Sequence, residues 1–155
     1  MHRTALRPAR WQRWLLASTG ALLLASGGLW LALHYSVGAG TDALPHPAES
    51  GCMRLHGAAA FFALFGAGLM AGHHVPAAWH LSKRPRQRGQ RHSGLVLCGL
   101  FLLATGTGYL LYYFAPETWR PALGWLHSAV GAPMVLAGAW HGRCKHHQRN
   151  LQGSA

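Results

Sequence analysis

Four apolar runs, residues 14–33, 53–72, 94–114 and 121–140, contain no aspartate or glutamate between them. At ~1.5 Å of rise per helical residue, runs of this length cross the ~30 Å hydrocarbon core of a bilayer. Inside lipid a backbone amide finds no water, so each run must satisfy its own N–H and C=O groups, and the sequence predicts four α-helices. Half of the 155 residues are hydrophobic, 11% are charged and 20 are glycine. That balance suits helices packed closely in a membrane better than a water-soluble core. The expected fold class is all-α: one integral membrane four-helix bundle over residues 1–155, with residues 142–155 as a basic, solvated tail.

The formal net charge is +11, and the placement of the bases matters more than their sum. Arg3, Arg7, Arg10 and Arg13 precede the first run, Lys83, Arg84, Arg86, Arg88 and Arg91 fill the second connection, and Arg143, Lys145 and Arg149 follow the last run. With four spans all three blocks fall on one side, which the positive-inside rule makes the cytoplasm. Arg54, Arg120 and all three acids, Asp42, Glu49 and Glu117, fall on the other side. Trp11, Trp14, Trp79 and Trp140 then mark the inner interface, and Trp30, Trp119 and Trp125 the outer one.

The expected setting is the bacterial cytoplasmic membrane, both termini inside and lipid as the first partner. Nucleic acid is not expected, because the basic blocks are the ordinary flanks of membrane helices. A cleaved signal peptide is the alternative for the first run, although its length favours a retained span, and cleavage would leave the other three in the same orientation. Cys52, Cys98 and Cys144 fall at three different depths, so no disulfide is expected, and the chain has no CxxCH motif for covalent haem attachment.

Twelve histidines are present, and several lie in or beside the spans. Imidazole facing lipid is costly, so intramembrane histidines point to function and to the interior of the bundle. In the fourth run His127 and His141 are fourteen residues apart, about 40° from whole turns at 3.6 residues per turn, and share a face. In the second run His56 and His74 are eighteen apart, about five whole turns, whereas His73 is rotated by roughly 100°. Both helices run from outside to inside, so His56 is level with His127, and His74 lies near the level of His141. The two rises differ by about 6 Å, which tilt or a kink at Pro133 can absorb.

Two imidazoles facing each other across a helical bundle suit the two axial positions of haem iron. Zinc would want four N or S ligands, and each level offers two. Small residues leave room for a macrocycle or for close helix packing: Gly57, Gly66, Gly68 and Gly72 in the second run, Gly94 and Gly108 in the third, Gly131 and Gly138 in the fourth. Arg54 and Arg120 outside, and Arg84 or Arg91 inside, are candidates to neutralise haem propionates. His92 and His73 compete with His74 as partner of His141. His34 and His80 are interfacial and are not expected to be ligands.

A faint repeat runs through the chain. "GALLLASGGLWLALHY" in the first run resembles "GLFLLATGTGYLLYYF" in the third, and "RLHGAAAFFALFGAG" in the second resembles "WLHSAVGAPMVLAG" in the fourth. The bundle is expected to be two hairpins, each beginning its second helix with Leu-His.

The four-span plan, the Leu-His to His spacing of the last helix and the glycine-rich companion helix resemble the di-haem cytochrome b superfamily. The likeness extends to the membrane subunits of formate dehydrogenase and nickel-iron hydrogenase and to small bacterial four-span proteins, and covers roughly residues 52–143. It implies two non-covalent haem b groups, held by His56 with His127 and by His74 with His141, and electron transfer across the bilayer between quinone or quinol and a redox partner subunit. Such a chain is an electron-transfer subunit of an oxidoreductase rather than a stand-alone enzyme. The second helix departs from the family in spacing its histidines more widely than the fourth. The dehydrogenase subunits use a first-helix histidine for the inner haem, where this chain has Arg13 and Trp14. Glu49, Glu117 or Asp42 outside, or His80 or His92 inside, could accept a quinol proton. The alternative function is a non-redox membrane protein whose histidines bind or transport a transition metal, or an assembly subunit.

Overall fold

The computed structural model describes residues 9–41, 44–81 and 88–150, with side chains omitted at 41, 73–81, 88–91 and 141–150. Four helices follow one another: α1 (Arg10–Ser36), α2 (Pro47–Leu81), α3 (Arg88–Tyr113) and α4 (Arg120–Asn150), with a short 3₁₀ turn (Ala39–Thr41) after α1. Each contains a stretch long and apolar enough to cross a membrane: Arg10–Ser36, Pro47–Gly72, His92–Tyr113 and Arg120–Trp140. The protein is therefore a multi-pass, all-α membrane protein, as the four apolar runs predict.

The helices outlast the apolar runs. α4 continues to Asn150, so most of the expected basic tail is helical. α2 reaches Leu81 and α3 begins at Arg88, so the two ends of the charged connection are helical. A started helix propagates at one new hydrogen bond per residue, and charged side chains alone do not stop it. α4 carries Pro133 inside the helix.

The chain divides into two compact units, Met1–Leu81 and Ser82–Ala155, each a helical hairpin. In the first, α2 turns Glu49, Cys52, Ala59, Ala63 and Gly66 into the seam with α1, and His56 falls in the same three-four alternation. This is a heptad stripe, the spacing that keeps two helices in register along a left-handed seam. α1 answers with Thr19 and Ser26, seven residues apart and buried. Small side chains allow close approach, and at Gly66 even a Cβ would lie 2.9 Å from Leu16 Cδ2. The second hairpin repeats the pattern, with Ala104 and Thr107 of α3 and Val130 of α4 buried. Phe61, Phe65, Leu102, Leu136 and Trp140 point outward, an inversion of the soluble-protein pattern that fits lipid as solvent.

Capping is unusual at the start of α2. Ala48 donates its N–H to His46 Nδ1 (3.2 Å), and Glu49 Oε1 accepts the His46 N–H (2.9 Å). This is a reciprocal capping box with histidine in place of serine or threonine, followed by Pro47 at the first helical position.

Ala59 is 3% exposed, so Ala59→Leu should overpack the α1–α2 seam. A loss of about 1–3 kcal/mol is expected, read as a lower thermal midpoint in detergent, while Phe61→Leu on the outward face should leave it nearly unchanged.

Candidate functional site

His56 lies nine residues into α2, ~14 Å along the helix from Pro47. Its ring crosses the seam to α1, where Nδ1 stands 3.1 Å from Ser26 Oγ. The same hydroxyl lies 2.6 Å from the Leu22 carbonyl oxygen one turn earlier. Behind the ring is Gly27, where a Cβ would sit 3.2 Å from His56 Cε1 and 3.4 Å from Nδ1. A side chain here would crowd the imidazole, which would have to shift by a few tenths of an ångström.

The second hairpin builds the same unit. His127 lies seven residues into α4, and its Nδ1 is 3.1 Å from Thr107 Oγ1 on α3. Thr107 Oγ1 donates back to the Leu103 carbonyl at 2.8 Å and lies 3.1 Å from that of Ala104. The Ala104 carbonyl is also an acceptor for the ring. A Cβ on Gly108 would meet His127 Cε1 at 3.1 Å. Each histidine thus rests on a hydroxyl–glycine pair of the neighbouring helix, Ser26–Gly27 in one hairpin and Thr107–Gly108 in the other.

The equivalence of His56 and His127 is the one the second-to-fourth repeat predicts. The first-to-third repeat is shifted: aligned from its opening glycines, Ser26 falls on Thr105, whereas the histidine contacts pair Ser26 with Thr107. Two residues of slip on a helix turn a side chain by about 200°, so the contact across the seam decides the register.

Both hydroxyls and Gly27 escape notice in the sequence, because Ser and Thr in membrane helices ordinarily satisfy themselves on the preceding turn. The available signal is a hydroxyl residue followed directly by glycine, as in "ASGGL" and "TGTGY", but Thr19–Gly20, Ser93–Gly94 and Thr105–Gly106 carry it too, so it does not by itself single out Ser26–Gly27 and Thr107–Gly108.

Of the other predicted site residues, the side chains of His74 and His141 lie outside the described residues, as do those of His73, His80, Arg84 and Arg91, and Asp42 lies outside them altogether. His92 is exposed at the start of the apolar part of α3. Cys52 is buried and Cys98 exposed, both as free thiols. A Cβ at Gly57, Gly68, Gly72, Gly94 or Gly131 would meet nothing within 4 Å, and one at Gly138 would make an ordinary 3.8 Å contact with Leu97. Among the described residues, close packing within a hairpin accounts for Gly66 and Gly108.

The connected ends of the hairpins differ. Seven residues before His56 stands Glu49, and seven before His127 stands Arg120. Glu49 Oε2 accepts from His34 Nδ1 at 3.0 Å, its other oxygen holds the His46 N–H, and the Ala39 amide also donates to this carboxylate. Trp30 stacks on the His34 ring at 4.4 Å, and a Cβ on Gly38 would overlap the carboxylate. Arg120 instead pairs with Glu117 at 3.2 Å and donates to the Ala115 carbonyl at 3.3 Å. His34 is thus an interfacial residue with a structural partner.

These features define a class, a helical multi-pass membrane protein made of two hairpins with equivalent seam histidines. No known protein family, curated protein or solved structure matches the chain.

Gly27→Val and Gly108→Val should each dislodge the histidine of their own hairpin. Diethyl pyrocarbonate labelling read by mass spectrometry should rise at His56 in the first variant and at His127 in the second. Glu49→Ala should speed amide hydrogen exchange at Ala39 and His46, the two backbone donors that lose their acceptor.

Proposed function

We propose that this chain is a b-type membrane cytochrome that holds two non-covalent haem b groups and moves electrons across the bilayer. The observation that carries the reading is the pair of equivalent histidines, one per hairpin. Each is tied at Nδ1 to a hydroxyl and backed by glycine, and Nε2 is the nitrogen assigned to coordination in this reading. A histidine held by a hydrogen bond at one ring nitrogen and ligating through the other is the usual arrangement at a transition metal.

The donor set fits haem better than a closed structural metal site. Within either hairpin, no three His, Cys, Asp or Glu side chains gather among the described residues. Iron porphyrin brings four nitrogens of its own and asks the protein for two axial ligands. His56 and His127 would hold the haem toward the outer side, and His74 and His141, from the sequence spacing, the one toward the inner side. Gly57 and Gly131, each one turn or less from its histidine, leave the surface open where a flat ring needs room.

Haem iron supplies the one-electron chemistry. The chain supplies ligands, a low-dielectric surround and fixed depth. Its basic blocks support a reading in which both termini and the second connection lie on the cytoplasmic side of a bacterial inner membrane. Quinol, quinone or a partner subunit would exchange electrons at the surfaces, since connections this short hold no substrate-processing domain. At the outer side Glu49 is already engaged by three donors, so it serves the fold there.

Protein purified from haem-replete cells should give the sharp reduced-minus-oxidised band of low-spin, bis-histidine haem. His56→Ala and His127→Ala should each remove the same haem and keep the other. Comparing His74→Ala with His92→Ala should identify the second partner of His141, because one of the two should halve the haem content. A colourless wild-type protein would overturn the reading and leave the histidines to metal handling or assembly.

A further inference from the structure

We infer that Ser26 and Thr107 are paired positioning residues: each holds its histidine in the Nδ1–H tautomer and so presents Nε2 as the unprotonated nitrogen. The reasoning begins with proton counting. A hydroxyl has one hydrogen. Ser26 Oγ lies 2.6 Å from the Leu22 carbonyl oxygen, and Thr107 Oγ1 lies 2.8 Å from that of Leu103. Two oxygens approach that closely with a proton between them, and a carbonyl has none to give. The hydroxyl hydrogen is therefore committed to the carbonyl, and the contact at 3.1 Å to the ring needs a hydrogen from Nδ1.

The glycines complete the arrangement, because a Cβ at Gly27 or Gly108 would press on the ring that faces the hydroxyl. The arrangement occurs twice, with Ser in one copy and Thr in the other, so the hydroxyl is what the two positions share and the methyl group is dispensable.

The tautomer follows from hydrogen bonds within each hairpin, whereas its purpose, an axial ligand to haem iron, rests on the proposed function. Two measurements separate these. The full chain, with ¹⁵N-labelled histidine and reconstituted in lipid without haem, should show His56 and His127 as neutral rings with a protonated Nδ1 and an unprotonated Nε2. The signals are assigned by their loss in His56→Gln and His127→Gln. Ser26→Ala should release His56 alone toward the Nε2–H form, and Thr107→Ala should release His127 alone. Ser26→Thr and Thr107→Ser should retain the wild-type spectrum, which a merely space-filling role would not require. An Nε2–H tautomer at either histidine of the wild-type protein overturns the inference.

In the haem-loaded chain the same alanine variants should keep their haem, and its midpoint potential should rise, since an Nδ1–H bond makes the ligand more basic and favours ferric iron. A tenfold change in the reduced-to-oxidised ratio is expected, about 59 mV for a one-electron couple. Unchanged potentials in both variants overturn the positioning role. Nδ1–H rings in a chain that takes up no haem overturn the proposed function and uphold the role of the hydroxyls.

Discussion

An imidazole on one helix reaches a hydroxyl on its neighbour only where the two backbones run close together, and the seams of both hairpins are built for that approach. Alanine, glycine, serine, threonine and cysteine occupy positions that leucine would hold in a soluble coiled coil. Lipid explains the choice. The acyl chains solvate leucine as well as another helix does, so burying large apolar groups stabilises little, and association relies on dispersion contacts between close backbones. The bulky residues turn outward, and the polar atoms that remain in the seam must satisfy one another.

That requirement gives the seam histidines their orientation. Even a half-buried imidazole is costly in a seam without hydrogen-bond partners. Ser26 and Thr107 meet the need from the neighbouring helix, and their own hydrogens go to carbonyls one turn earlier on the same helix. Each hydroxyl is thus a relay from ring to helix backbone. The ring is fixed by a helix rather than by a loop, which is how a binding group is held to fractions of an ångström.

The two hairpins share this unit and diverge where they meet water. One ends in Glu49, gathered by His34, His46 and Ala39, and the other in Arg120, bound to Glu117 and the Ala115 carbonyl. The change of sign at equivalent positions indicates that the interior geometry is the common element and that the ends are fitted to their own connections. A carboxylate near the start of α2 is also where a helix favours negative charge.

The sequence by itself determined the four helices, their lengths to within a few turns and the correspondence of His56 with His127, because apolar run length and a fourfold lack of acids leave lipid few other solutions. Twofold similarity between the even-numbered helices was legible for the same reason: "LH" opens both runs at like depth. Which residues answer those histidines was decided by tertiary structure. The facing hydroxyls belong to other helices, and a slip of two residues in the apparent repeat would have turned Thr107 away from the ring. Helix periodicity specifies the direction of a side chain on its own helix; the register between two helices comes from how their small residues interlock, and no single run contains that information.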